Sequence, residues 1–379
     1  MSLEPTTAPR AESPTTAAAV APVPFAGAAG EVPRVDAGAA GHVPPVGAPP
    51  ITAAPPELAP APRDRRSTWV LVGLGAAVLL AAVAFMTVGA KGSWDFVLPF
   101  RGTKLLAMTL VGVAVAVSTV MFQTVTDNRI LTPSIMGFDA LYLLLQTSLV
   151  FSIGAARTTA IPAPAKFLLE TAVMLTFGVL LYRWLLAGAK YSVHVLVLAG
   201  IVLGVFFRSL SSFMQRLIDP NEFQVLQDAM FASFNTFDRS LVWLSGVLLL
   251  GAVGVAWGLR RRLDVLLLGR ERATMLGVDH RATVGLVLVV VGLLVSVSTA
   301  LVGPITFFGL LVANLAYRVA GSHRHAVVMP VAALLGVLAL VAGQTVLERV
   351  LAFDTALAVI IELVGGVVFL ALLMKGERR

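Results

Sequence analysis

The chain has 379 residues, of which 58% are hydrophobic and only 13% charged, with a mean hydropathy of +0.89. A soluble domain of ordinary composition carries about 25% charged residues, so one large water-soluble core is excluded and an all-α polytopic membrane protein is indicated. Cysteine is absent, which excludes disulfides, thiolate metal sites and a cysteine nucleophile, and no Gly-x4-Gly-Lys-Ser/Thr supplies a nucleotide-binding loop.

Residues 1–62 are rich in Ala, Pro, Gly and Thr and poor in large apolar side chains. Such a segment cannot bury enough surface to offset its ordering entropy, so it reads as disordered, a dispensable tail rather than a binding arm. It lacks the basic start and apolar core of a secretory signal. Arg63, Arg65 and Arg66 then precede the first apolar span and place the tail, residues 1–66, in the cytoplasm. Residues 67–379 form the transmembrane domain, with ten expected spans at about 69–90, 105–125, 134–153, 167–186, 193–217, 240–259, 283–302, 305–319, 327–346 and 356–374. A crossing takes about 20 helical residues, so the eighth span is broken or tilted.

Ten spans put both termini on one side. The net charge of +7 suits this topology better than it suits nucleic acid, because Arg and Lys gather on the segments assigned to the cytoplasm. The opposite loop, 218–238, is acidic, with Asp219, Glu222, Asp228 and Asp238. Between spans six and seven lies a charged stretch, about 260–282, too polar to enter a bilayer. Within it, Leu268, Ala273, Leu276 and Val278 can share one face of a short helix, with Arg270, Glu271 and Arg272 towards solvent or a partner. Gly277 stands where that helix would end, a position favouring left-handed backbone.

Spans two and seven carry an echo. Val115-Ala-Val-Ser-Thr-Val120 resembles Val295-Ser-Val-Ser-Thr-Ala300, and each precedes a Pro-containing, Gly-rich segment. The two spans run in opposite directions, which suits an inverted repeat; chance similarity between apolar helices is the competing reading. Gly303-Pro304 removes a backbone donor and loosens the chain, so a break there exposes polar backbone to a cavity. Gln123 and Asn314 lie at helix depth, either lining a path or making an interhelical hydrogen bond. Glu362, inside span ten, is an intramembrane carboxylate, serving transport or simply paired. His323 and His325 are spaced as metal ligands sometimes are, but no third ligand is near, which makes them solvated surface.

Several motifs go further. Leu106-Ala-Met-Thr-Leu-Val-Gly-Val-Ala-Val-Ala-Val-Ser118, Gln123, Asp127-Asn-Arg-Ile-Leu-Thr-Pro133 and Gly137 resemble the second-to-third helix region of the FecCD family. These are permease subunits of ABC importers for iron–siderophores, haem and vitamin B12. Leu268-Gly-Arg-Glu-Arg-Ala-Thr-Met-Leu-Gly-Val-Asp279 looks like that family's cytoplasmic coupling loop, and Gly303-Pro-Ile-Thr-Phe-Phe-Gly-Leu-Leu-Val312 looks like its Gly-Pro-Ile-x-Phe-x-Gly-Leu signature. The chain departs from the family at Ala313-Asn314, at Asp354-Thr355-Ala356 and at Phe231-Ala-Ser-Phe-Asn235, which leaves the ligand open more than the fold.

The resemblance implies a multi-pass protein of the bacterial cytoplasmic membrane that does no covalent chemistry and binds no cofactor or metal. ATP is used by a separate subunit. The implied partners are a second permease, identical or paralogous, two ABC ATPases, an extracytoplasmic siderophore-binding protein and membrane lipid. Arg270, Glu271, Arg272, Ala273, Leu276 and Gly277 are the implied ATPase-coupling residues, and Arg101, Lys104 and Arg349 would dock the binding protein. Gln123, Gly303, Pro304, Phe307, Asn314 and Glu362 would line the translocation path. A siderophore is the indicated cargo. Haem or vitamin B12 import, or secondary transport driven by an ion gradient through Glu362, are the alternatives.

Overall fold

A computed structural model describes residues 65–89, 93–186, 193–234, 239–349 and 357–376. The expected disordered tail lies outside them apart from Arg65 and Arg66, as do Asn235 and Asp354. Every regular element among the described residues is helical: α1 (Arg65–Thr87), α2 (Trp94–Thr126), α3 (Phe138–Ile153), α4 (Ala155–Ala160), α5 (Ala163–Leu186), α6 (Val193–Gln215) and α7 (Pro220–Met230), then α8 (Arg239–Leu266), α9 (Arg270–Met275), α10 (His280–Val302), α11 (Phe308–Ala320), α12 (His325–Arg349) and α13 (Leu357–Gly376), with a 3-10 turn at Pro133–Met136.

Seven of these helices, α1, α2, α5, α6, α8, α10 and α12, are long and apolar enough to cross a membrane, and α3, α11 and α13 are shorter apolar helices. Together they occupy every expected span. Two boundaries moved: α2 starts at Trp94, well before 105, and α8 runs on to Leu266. The expected charged patch Arg260–Arg262 is therefore the last turns of a membrane helix. The acidic loop 218–238 contains α7, started by Asp219, whose side chain accepts the Asn221 N–H, and by Pro220 in the first turn.

Two helices form the centre. In α2 and α10, 72% of the most apolar window is buried inside the protein, against 6% in α1, which presents its surface outward. The antiparallel partner α12 reaches α2 through Gly112 and Gly336. A Cβ on Gly112 would lie 2.9 Å from the Gly336 carbonyl carbon and the Val337 nitrogen, and one on Gly336 would lie 2.5 Å from the Gly112 oxygen. Only glycine at both positions lets the two backbones touch. Gly112 thus serves close packing between α2 and α12, a partnership that the sequence reading did not name.

The helical course is interrupted twice at depth. After α2 the chain turns through the 3-10 segment into α3, and after α10 it passes through Gly303–Phe307 into the short α11. The second interruption is the break expected at Gly303-Pro304.

Candidate functional site

The charged segment after α8 folds as expected in outline. Gly277 adopts φ +81°, its N–H donates to Thr274 O at 3.0 Å, and the Val278 N–H donates to Ala273 O at 3.1 Å. These two bonds close α9 with a left-handed glycine. Asp279 follows at once and caps α10 by accepting the Ala282 N–H at 2.9 Å. The expected apolar face is corrected. Ala273 is completely buried, but Leu268 and Leu276 are 46% and 61% exposed, and Met275 is 81% exposed. A six-residue helix seated on α8 and α10 has room to bury only one small side chain. Leu268, Met275 and Leu276 instead stand in solvent beside the exposed Arg270, Glu271 and Arg272, an apolar patch rimmed by charge of the kind that marks a protein contact.

Gln123 and Asn314 converge on one atom. Gln123 Nε2 donates to Arg129 O at 2.7 Å, and Asn314 Nδ2 donates to the same oxygen at 3.1 Å and to Leu310 O at 2.9 Å. The Arg129 guanidinium lies 4.6 Å over the Tyr317 ring. The two amides thus fasten the loop after α2, Gln123 to α2 itself and Asn314 to α11, close to the α9 end of the bundle rather than at mid-depth. His325, expected on the solvated surface, is 1% exposed. It is enclosed because Asp264 and Thr124 supply partners for its ring and allow its burial.

At mid-depth a void of about 20 Å³ lies between the interruptions. Its wall includes Val115, Ser118 and Thr119 of α2 and the echoed Val295, Ser298 and Thr299 of α10, together with Pro133, Gly303 and Phe307. The echo in the sequence therefore brings matching residues to one cavity, with room for about a single water. Gly303, at φ +94°, presses on Ala232 in the segment that follows α7, where a Cβ would meet the Ala232 Cα at 3.1 Å. The Ser233 N–H donates to Val302 O at 2.8 Å, satisfying a carbonyl that the break releases. Pro304 is buried beside it. Phe307 takes the left-handed conformation, φ 59°, at the start of α11, and Gly365 of α13 seats against it: a Cβ there would lie 2.7 Å from the Phe307 Cβ. Glu362, one turn earlier on α13, is half-buried. Asp139, which the sequence reading passed over, is 4% exposed in the first turn of α3. Its Oδ2 accepts a long hydrogen bond, 3.5 Å, from Thr306 in the other interruption, and its Oδ1 is buried without a partner. The available signal was an acidic residue opening an apolar run.

Arg101, Lys104 and Arg349 gather at the end of the bundle opposite α9. Arg101 Nη1 donates to Phe85 O, Met86 O and Val88 O at 2.9, 3.1 and 3.0 Å, and Nη2 donates to Gly89 O at 3.0 Å. It covers the carbonyls that α1 leaves open at its C-terminus. Lys104 pairs with Glu348 at 3.4 Å, each side chain 8% exposed, while Gln344 Nε2 donates to the same carboxylate at 3.0 Å. Arg349 is exposed.

Residues 67–375 match the profile of the FecCD transport family. The petrobactin import system permease protein YclO of Bacillus subtilis (strain 168) is 45% identical over 316 residues, which cover 83% of this chain and 99% of that protein. The petrobactin import system permease protein FatC of Bacillus anthracis is 36% identical over 275 residues, 73% of this chain and 78% of FatC. The vitamin B12 import system permease protein BtuC of Salmonella typhi is 28% identical over 328 residues, 83% of this chain and 98% of BtuC. Among solved structures, an inward-facing metal-chelate type ABC transporter superposes with a TM-score of 0.72 at 22% identity, covering 82% of this chain and 99% of that one. That likeness concerns the fold alone.

Proposed function

The chain belongs to the FecCD transport family, and from that premise we propose that it is the transmembrane permease subunit of an ATP-driven ABC importer that takes up an iron–siderophore complex. The observation that carries the reading is the 45% identity to a petrobactin import permease across 99% of that protein. Identity to a vitamin B12 permease over a similar span is 28%, which favours a siderophore of the petrobactin class over cobalamin.

In this reading the protein does no covalent chemistry. It supplies a path that opens alternately to each side of the bacterial cytoplasmic membrane. The solvent-facing α9, with Leu268, Met275 and Leu276 beside Arg270, Glu271 and Arg272, supports an ATPase contact at the cytoplasmic end. ATP is bound and hydrolysed by two separate subunits, and this chain holds no cofactor. A second permease, identical or paralogous, completes the path, and an extracytoplasmic binding protein delivers the cargo at the end carrying Arg349.

The test is reconstitution of the permease with its ATPase and binding protein in liposomes, offered ferric petrobactin, other ferric chelates, haem and cobalamin in turn. ATP-dependent accumulation of the petrobactin complex is the expected result. Uptake driven by an ion gradient without ATP would overturn the importer class, and a preference for haem or cobalamin would overturn the cargo.

A further inference from the structure

We propose that Asp264, His325 and Thr124 form a transmission latch that carries displacement of the α9 segment into α2 and α12; the inference rests on the coupling role given to α9 above. His325 is the first residue of α12 and is 1% exposed. Asp264 Oδ1 accepts both its backbone N–H and its Nδ1–H, each at 2.7 Å. An ionised carboxylate only accepts, so Nδ1 carries a proton. The other ring nitrogen, Nε2, lies 2.8 Å from Thr124 Oγ1, near the end of α2. One imidazole therefore joins the ends of three helices.

Its position on the chain gives the cluster a task. Asp264 stands two residues before α8 ends at Leu266, and α9 begins at Arg270. The link from Asp264 to His325 closes a loop 61 residues long that contains α9, α10 and α11. Asp264 also caps α12 from a different helix, since it takes one of the open N–H groups of that helix's first turn. Next to this link the molecule is hollow. A cavity of about 300 Å³ has Gly269 and Arg270 on its wall together with Thr124 and Asp127. The space lets α9 shift without striking the end of α2. Beside the direct packing of α2 on α8 and α10, the hydrogen-bonded ring gives that shift a polar route into α2. The Thr124 hydroxyl also lies 2.9 Å from Val120 O. Its single proton serves either that carbonyl or Nε2, so the contact with the ring is one that can be made and released without unwinding α2.

His325 is a positioning residue in this account, and the test reads coupling rather than activity alone. The full importer is reconstituted with its ATPase and binding protein, and cargo accumulated per ATP hydrolysed is measured for wild type, Thr124→Val, Thr124→Ser and Asp264→Ala. Valine matches the shape of threonine and lacks the hydroxyl. Thr124→Val is expected to assemble and to hydrolyse ATP normally while the transport ratio falls roughly five- to tenfold, the lower end of the usual coupling between sites. Thr124→Ser is expected to restore it. Asp264→Ala, which opens both contacts to His325, should lower the ratio further. An unchanged ratio in Thr124→Val overturns the latch. So does a parallel fall in hydrolysis and transport that serine does not rescue, because that pattern belongs to a merely structural contact. Failure of wild type to couple ATP to uptake would instead overturn the function on which the latch rests.

Discussion

The two ends of the helix bundle use the same residue types differently. Where α1 and α12 finish, Arg101 and Lys104 are consumed inside the protein: Arg101 covers four carbonyls around the end of α1, and Lys104 is buried against Glu348, with Arg349 alone of the three exposed. At the α9 end, Arg270, Glu271 and Arg272 are exposed. A charge that closes a helix terminus or neutralises a buried partner contributes to folding, whereas one exposed on the surface contributes little to folding and is accessible to another protein. The difference separates residues whose loss unfolds the permease from residues whose loss disconnects it.

The sharpest way to break that contrast is at Glu348. Glu348→Ala leaves Lys104 buried without its carboxylate, and breaking such a pair costs about 3–5 kcal/mol. The expected result is a large drop in thermal stability in detergent and in membrane abundance. The double change Lys104→Met with Glu348→Leu should recover most of it. Arg101→Ala comes next. Its hydrogen bonds are charge-assisted but partly solvated, so a loss of about 1–2 kcal/mol is expected, read as a lower unfolding temperature with α1 opening first in hydrogen exchange.

At the other end the effects on folding shrink while those on coupling grow. Gly277→Val places a β-branched residue at φ +81°, which costs about 1–2 kcal/mol locally. Membrane abundance should hold, while binding-protein-stimulated ATP hydrolysis and uptake separate in the reconstituted complex. Exchanging the charges, Glu271→Arg with Arg272→Glu, should leave stability within about 0.5 kcal/mol of wild type and weaken co-purification of the ATPase in a salt-dependent way. The smallest effect is expected back at the first end, from the exposed Arg349: Arg349→Glu should leave stability unchanged, with a modest, salt-dependent loss of binding-protein affinity. If Glu271→Arg with Arg272→Glu destabilised the protein as much as Glu348→Ala, the contrast between the two ends would fail.

Sequence reading reached the helices because apolar runs of bilayer length have one economical solution. It also reached Gly277, since a glycine after a short charged helix has a local reason to be there. The break at Gly303-Pro304 was legible for the same local reason. Partnerships were not. Lys104 and Glu348 are 244 residues apart and Gln123 and Asn314 meet at a backbone oxygen of neither, and nothing in periodicity says which helix stands beside which. His325 was misread as surface because a histidine near a predicted loop looks solvated until a carboxylate 61 residues away is known to face it. Asp139 was passed over because its partner, Thr306, belongs to the other interruption.

The contact between Gly112 and Gly336 sets a kinematic limit on any transport cycle. Two backbones that meet with no side chains between them have no layer on which to roll. Successive residues sit about 100° apart around a helix, so turning α12 on its axis by one position would bring Leu335 or Val337 to face Gly112, where even a Cβ on the opposing glycine already falls within 2.9 Å of backbone. The α2–α12 pair is therefore confined to moving as one rigid beam. Rotation during the cycle must be absorbed at joints, and Gly303–Phe307, where the helical ladder is absent, is such a joint on the neighbouring strut.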